Sequence, residues 1–139
     1  MSLLYRVKCP FCGKVEDLPD SGPCRKCRNP IQLPGDGIIH IYRSHEALGV
    51  ALRMYLFLNG IHLGYLGFDE SIRIPVQYGH YSVMMRYPEK GLRRPTGIPF
   101  EFDITPDNRI ICLKAYTRPG YMTNTTYLEQ SSLDQMPPL

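Results

Sequence analysis

Cys9 and Cys12 form one pair with two residues between them, Cys24 and Cys27 form a second, and eleven residues separate the pairs. This spacing suits metal coordination. One tight turn aims both sulfurs of a pair at a single point, and two such turns complete a tetrahedron with metal–sulfur distances of about 2.3 Å. Gly13 follows the first pair, where a positive φ lets backbone N–H groups point at sulfur. Four thiolates around a divalent ion leave a charge of −2, and Lys8, Lys14, Arg25, Lys26 and Arg28 lie beside them in the chain. The expected ion is Zn2+, one per chain, although four thiolates also suit iron. With four cysteines as ligands, no coordination position is left for water. The expected role of the metal is therefore structural.

Two other uses of paired cysteines fit less well. Disulfides belong to oxidising compartments, and no export signal precedes the first pair. A thioredoxin-like redox pair needs a βαβ setting, which this Pro- and Gly-rich segment lacks. The run Cys9-Pro10-Phe11-Cys12-Gly13 with Cys24-Arg25-Lys26-Cys27 resembles the short zinc-ribbon family over residues 5–33. The second half departs from that pattern, because Arg28 stands where a glycine is common. Asn29 tolerates the left-handed region, so the expectation is a turn shifted by one residue.

The other chemically capable residues are weaker candidates. His40, Arg43, His45 and Glu46 form the most enzyme-like group, and a hydrolase built around His40 and His45 would need a deep pocket lined by both. Their five-residue spacing matches neither a His-Glu-x-x-His helix nor an alternating strand. His62 and His80 fall at hairpin positions expected on the surface. Cys112 alternates with Ile111 and Leu113 and reads as a buried thiol rather than a nucleophile. No catalytic residues are assigned. Tyr55 and Phe57 stand out differently: they lie opposite Met54, Leu56 and Leu58, so their strand is apolar on both faces. Sheets usually keep one polar face. Either the chain covers Tyr55 and Phe57 itself, or they form an interaction surface for a protein partner or a second copy.

The elements that must carry these residues are strands. Residues 38–43, 53–58, 61–66, 71–76, 80–87, 99–105 and 109–117 alternate or are rich in β-branched and aromatic side chains. Asn59-Gly60 marks a two-residue hairpin, and Pro106-Asp107-Asn108 another turn. The expected fold is all-β: an N-terminal zinc ribbon followed by an antiparallel seven-stranded β-sandwich. The divisions are 1–33 for the ribbon, 34–37 for a linker, 38–128 for the sandwich and 129–139 for a flexible C-terminal tail. Pro30, Pro34, Gly35 and Gly37 give the junction a linker composition, which predicts separable modules. Residues 44–52 read as a loop or single turn, because Gly49 interrupts a short helical pattern.

Ile41-Tyr42-Arg43, the run from Leu56 to Gly64 through Asn59-Gly60, and Ile74-Pro75-Val76-Gln77-Tyr78-Gly79-His80-Tyr81 resemble small bacterial sandwiches. These are the domains related to carboxypeptidase-regulatory, transthyretin-like and PEGA-type proteins. The Pro-Glu-Gly-Ala motif itself is absent. The resemblance implies a domain that binds or spaces, and it carries over no catalytic residue.

Composition agrees with a globular chain: of 139 residues, 43% are hydrophobic and 21% charged. The net charge of +3 resides in the first 33 residues, where six cations meet three anions. A four-thiolate metal site reduces that excess to about +1, which weakens nucleic-acid binding through the ribbon as an alternative reading. No run reaches the roughly 20 apolar residues of a membrane span. The expected protein is cytoplasmic, not an enzyme, and acts as an interaction or scaffold module.

Overall fold

The computed structural model describes residues 4–43, 53–88, 96–119 and 124–137. His45, Glu46 and the rest of the 44–52 loop, and the basic stretch that Lys90, Arg93 and Arg94 form in the sequence, lie outside the described residues.

The first part is two small antiparallel hairpins. Strand β1 (Tyr5–Lys8) pairs with β2 (Val15–Leu18), and β3 (Gly22–Pro23) pairs with β4 (Pro30–Ile31). Each hairpin encloses one cysteine pair. Leu18 and Ile31 are buried with Cys9 and Cys24, and Val7 and Leu33 pack against them. So few side chains make a core too small to hold this segment folded without help.

The remainder is built from two larger sheets that share one core, and the all-β expectation holds. The four-stranded sheet orders β11 (Phe100–Ile104), β9 (Gly79–Arg86), β6 (Met54–Leu58) and β7 (Ile61–Leu66). The five-stranded sheet orders β10 (Thr96–Gly97), β13 (Asn124–Ser131), β12 (Ile110–Pro119), β5 (Gly37–Arg43) and β8 (Ser71–Val76). Alternation explains the core. Ile39 and Ile41 from β5, Leu113 from β12, Leu56 from β6, and Val83 and Met85 from β9 are fully buried together. Each large apolar side chain removed from water contributes about 1.5–3 kcal/mol. Asn59 (φ 50°) and Gly60 (φ 79°) both adopt the left-handed region, as the tight β6–β7 turn demands.

All seven expected strands form, and three details differ. First, β5 pairs with β12 in parallel, as does β10 with β13, so the sheets are not wholly antiparallel. Turn signals report only consecutive neighbours, whereas β12 reaches β5 after the chain has passed through the other sheet. Second, β13 pairs with β12 along its whole length, Pro119↔Asn124 to Cys112↔Ser131. The division at residue 129 thus falls inside a strand. Third, a 3-10 turn (Leu133–Gln135) follows, and Met136 is buried. The polar tail sequence concealed an end that is pinned by strand pairing and one apolar anchor.

Candidate metal centre and its supports

The two knuckles have nearly the same hydrogen-bond pattern. Cys9 N–H donates to the Lys14 carbonyl (2.8 Å) and Gly13 N–H to the Cys9 carbonyl (2.9 Å). In the second, Cys24 N–H donates to the Asn29 carbonyl (2.9 Å) and Arg28 N–H to the Cys24 carbonyl (2.9 Å). Gly13 has φ 80° and Arg28 has φ 67°. The turn does not shift to Asn29: Arg28 itself takes the left-handed conformation, at a cost of about 1–2 kcal/mol. The two knuckles follow the same backbone path, which places Arg28 where Gly13 stands in the first.

All four sulfurs lie within 4.8 Å of one another. The Cys9–Cys27 and Cys12–Cys24 separations are each 3.6 Å. A tetrahedron with 2.3 Å metal–sulfur bonds has edges of about 3.8 Å, whereas a disulfide would bring sulfurs to about 2.05 Å. The donor set therefore fits a four-coordinate metal ion, and all four cysteines are free thiols. Cys9 and Cys24 are buried, while Cys12 and Cys27 are half-buried. Backbone N–H groups of Cys27 and then Lys26 draw the Cys24 thiol down to about 6, against the opposing effect of burial. At Cys12 the Lys14 N–H is outweighed by burial and the neighbouring sulfurs, which push that thiol up to about 11. A thiolate near neutral pH is the form a metal binds. The Asn29 side-chain amide adds a donor 3.5 Å from the Cys27 sulfur.

Glu16 braces the second knuckle. Its side chain is only 5% exposed; one carboxylate oxygen accepts from Arg25 N–H at 3.3 Å, and the other lies 3.9 Å from both Lys14 and Arg25. Arg6 docks the cysteine hairpins onto the larger sheets. It is buried, and its guanidinium forks onto Asp17 at 3.1 and 3.3 Å. The same group donates to the Tyr65 carbonyl of β7 and lies 3.7 Å from Glu70. Val15 joins the main core, and β1 runs beside β7 and β8, the edge strands of the two sheets. The junction is also held, because Arg109 donates to the carbonyls of Gly35 (3.1 Å) and Asp36 (2.7 Å). The sequence reads Arg6 as one of the ribbon's basic residues for nucleic-acid contact, but it is buried. Its docking role carried no mark, because its partners are a carboxylate on β2, another in the turn before β8 and a backbone oxygen 59 residues away.

Between these parts lies an apolar cleft of about 590 Å³ lined by Val7, Pro10, Ile31, Leu58, Ile61 and Ile74 among others. A more polar cleft of about 440 Å³ lies on the Arg6 side, with Arg53, His62 and Glu70 in its wall. His40 lines neither. It is fully buried, between Arg73 of β8 and Cys112 of β12 in register, and among the described residues neither ring nitrogen has a hydrogen-bond partner. Burial, and then the neighbouring Arg73, push the imidazole down to about 4. Cys112 is buried on that same face, opposite Ile111 and Leu113, with its thiol raised by burial. Arg43 is buried as well: it bonds the Leu66 carbonyl (3.3 Å) and the Tyr87 hydroxyl (3.2 Å), which ties one sheet to the other.

Tyr55 and Phe57 lie on the outer face of the four-stranded sheet, while Met54 and Leu56 are fully buried beneath. His62 is not a free surface residue: its ring is 5.4–5.5 Å from those of Phe57 and Tyr55, and Tyr65 closes the group at 5.0 Å from Tyr55. The Arg86 guanidinium rests over both Tyr55 (5.2 Å) and Phe57 (5.3 Å). Neighbouring strands thus shield part of this face, and Tyr65 remains 43% exposed. At the other end His80 is exposed, between Asp103 (2.8 Å) and Glu101 (3.4 Å).

No helix among the described residues is long and apolar enough to cross a membrane. Comparison with protein-family models, with curated proteins and with solved structures returned no match.

Proposed function

We propose that this chain is a cytoplasmic, non-enzymatic interaction module: a zinc ribbon docked on a β-sandwich that presents Tyr55 and Phe57 to a protein partner. The carrying observation is the closed set of four sulfurs, mutually within 4.8 Å, with no place for a reacting water. Zinc supports the small hairpins, because the binding free energy of a structural ion is folding free energy. The resemblance to carboxypeptidase-regulatory, transthyretin-like and PEGA-type sandwiches favours binding or spacing over catalysis. Elemental analysis tests the metal: wild type should carry one zinc per chain, and Cys12→Ser should carry none while keeping its strand circular dichroism. A full zinc complement in that variant refutes the assignment.

The second reading is nucleic-acid binding through the knuckles. It is favoured by Phe11, 63% exposed between Cys9 and Cys12, and by the largely exposed Arg25 side chain. Affinity for single-stranded oligonucleotides that falls steeply with salt would select it.

A further inference from the structure

We propose that the outer face of the four-stranded sheet pairs with the same face of a second copy of this chain, about a two-fold axis lying between the two faces. The inference rests on reading the Tyr55–Phe57 face as an interaction surface, and it names the partner.

The argument is one of charge placed by register. Strand β11 lies along the first half of β9, from Ile104↔Gly79 to Phe100↔Val83. Strand β6 lies along the second half, from Leu58↔Val83 to Tyr55↔Arg86. The two flanking strands therefore occupy diagonally opposite quarters of the face. The β11 corner carries Glu101 and Asp103 around His80, which is negative at neutral pH. The β6 corner carries Arg86 over Tyr55 and Phe57. Phe57 and its register partner Met84 form the side of the β6 corner nearest the middle of the face.

A two-fold axis perpendicular to that diagonal exchanges the corners. The carboxylates of one copy then meet Arg86 of the other, twice per dimer, and the apolar centres meet across the axis. Isologous pairing demands this kind of self-complementarity. The residue types are also those of interface centres, where Tyr, Phe, Met and Arg are enriched. The size sets the strength. Four strands about 4.8 Å apart and about 20 Å long give a face of roughly 400 Å² per copy, half of the ~800 Å² typical of a stable interface. The dimer is therefore weak, with dissociation in the micromolar range or above.

Sedimentation velocity on the zinc-loaded full chain, from about 10 to 500 μM, tests this at low and high salt. Wild type should pass from monomer to dimer with rising concentration, and salt should shift the transition to higher concentration. Arg86→Glu makes both corners negative, and Glu101→Lys with Asp103→Lys makes both positive. Each variant alone should dimerise at least about tenfold more weakly than wild type. Mixed one to one, the two should recover wild-type association, because each like-charged face now meets its opposite. Circular dichroism checks that both variants fold. The lysine pair replaces exposed residues, so that variant and the salt dependence carry the test if Arg86→Glu does not fold. A wild type that stays monomeric throughout, a lysine variant that associates like wild type, or a folded mixture that stays monomeric would each overturn the pairing. Zinc measured in the same samples shows separately whether the metal-supported module stands.

Discussion

His40 makes the fold sensitive to acid in a way that can be isolated. Its imidazole has no exposure, faces Arg73 and Cys112, and titrates near 4 rather than at its ordinary 6.5. The depressed value means that the native state holds the neutral ring, while the unfolded chain takes up a proton below about pH 6.5. Stability from this group is therefore fully present above pH 6.5 and is lost as pH falls toward 4. The linkage relation gives a loss of about 2.5 kcal/mol between pH 7.5 and 4.5. His40→Leu removes the titration and two unpartnered nitrogens, so at pH 7.5 the variant should be as stable as wild type or more so. The assay is urea unfolding followed by circular dichroism at both pH values, for wild type and variant. A Cys12→Ser background removes the acid sensitivity of the metal site, which would otherwise add to both. The difference between the two pH dependences should be about 2.5 kcal/mol, with wild type losing more. Parallel pH profiles, or an imidazole NMR titration centred near 6.5, would refute the buried neutral histidine.

Other perturbations address the metal module and its docking. Arg28→Gly should stabilise the metal-bound chain by about 1 kcal/mol, seen as a raised thermal midpoint, because glycine adopts φ 67° without strain. Arg6→Ala should destabilise by about 2 kcal/mol, leaving Asp17, Glu70 and the Tyr65 carbonyl without their shared donor. Hydrogen exchange should show the loss first in β1 and β2; unchanged protection there would place the docking energy elsewhere. Chelation should abolish protection across residues 5–31 while the two larger sheets stay folded with a lowered midpoint, and a single cooperative unfolding of the whole chain would contradict separable units.

What could be read in advance was local. The cysteine spacing defined a site because metal coordination is a short-range demand on two turns. Asn59-Gly60 and the alternation of Phe100, Phe102 and Ile104 named a hairpin and a strand for the same reason. The β5–β12 pairing was not readable, since no turn connects strands so far apart in the chain and both are apolar enough for either neighbour. Strand β13 was missed because Thr125, Tyr127, Glu129 and Ser131 point away from the core, leaving Leu128 as its large buried apolar residue. Arg28 shows the converse. Its residue type argued for a shifted turn, whereas the second knuckle repeats the backbone path of the first at a cost one residue can bear.

The way the chain protects its sheet edges connects the metal to the proposed surface. Unpaired edge strands invite association through backbone hydrogen bonds. Here β7 and β8, edges of the two sheets, both lie beside β1, and the Tyr65 carbonyl that β7 would offer to a neighbour accepts from Arg6 instead. At the other end of its sheet β11 carries Glu101 and Asp103, whose charge opposes strand addition, and β10 is only two residues long. The cysteine hairpins thus serve as an edge cover, and an ion held by their four sulfurs would support that cover. With edges blocked by docking, charge or shortness, the surface left for the proposed pairing is the sheet face where Tyr55, Phe57 and Arg86 are partly open to solvent. Stripping the metal should then change the kind of association as well as the stability: β7 and β8 would be uncovered, and edge-to-edge aggregation should appear in chelated protein at concentrations where the metal-loaded chain remains soluble. Light scattering before and after chelation measures this, and a chelated chain that stays as dispersed as the loaded one would show that the hairpins are not the edge cover.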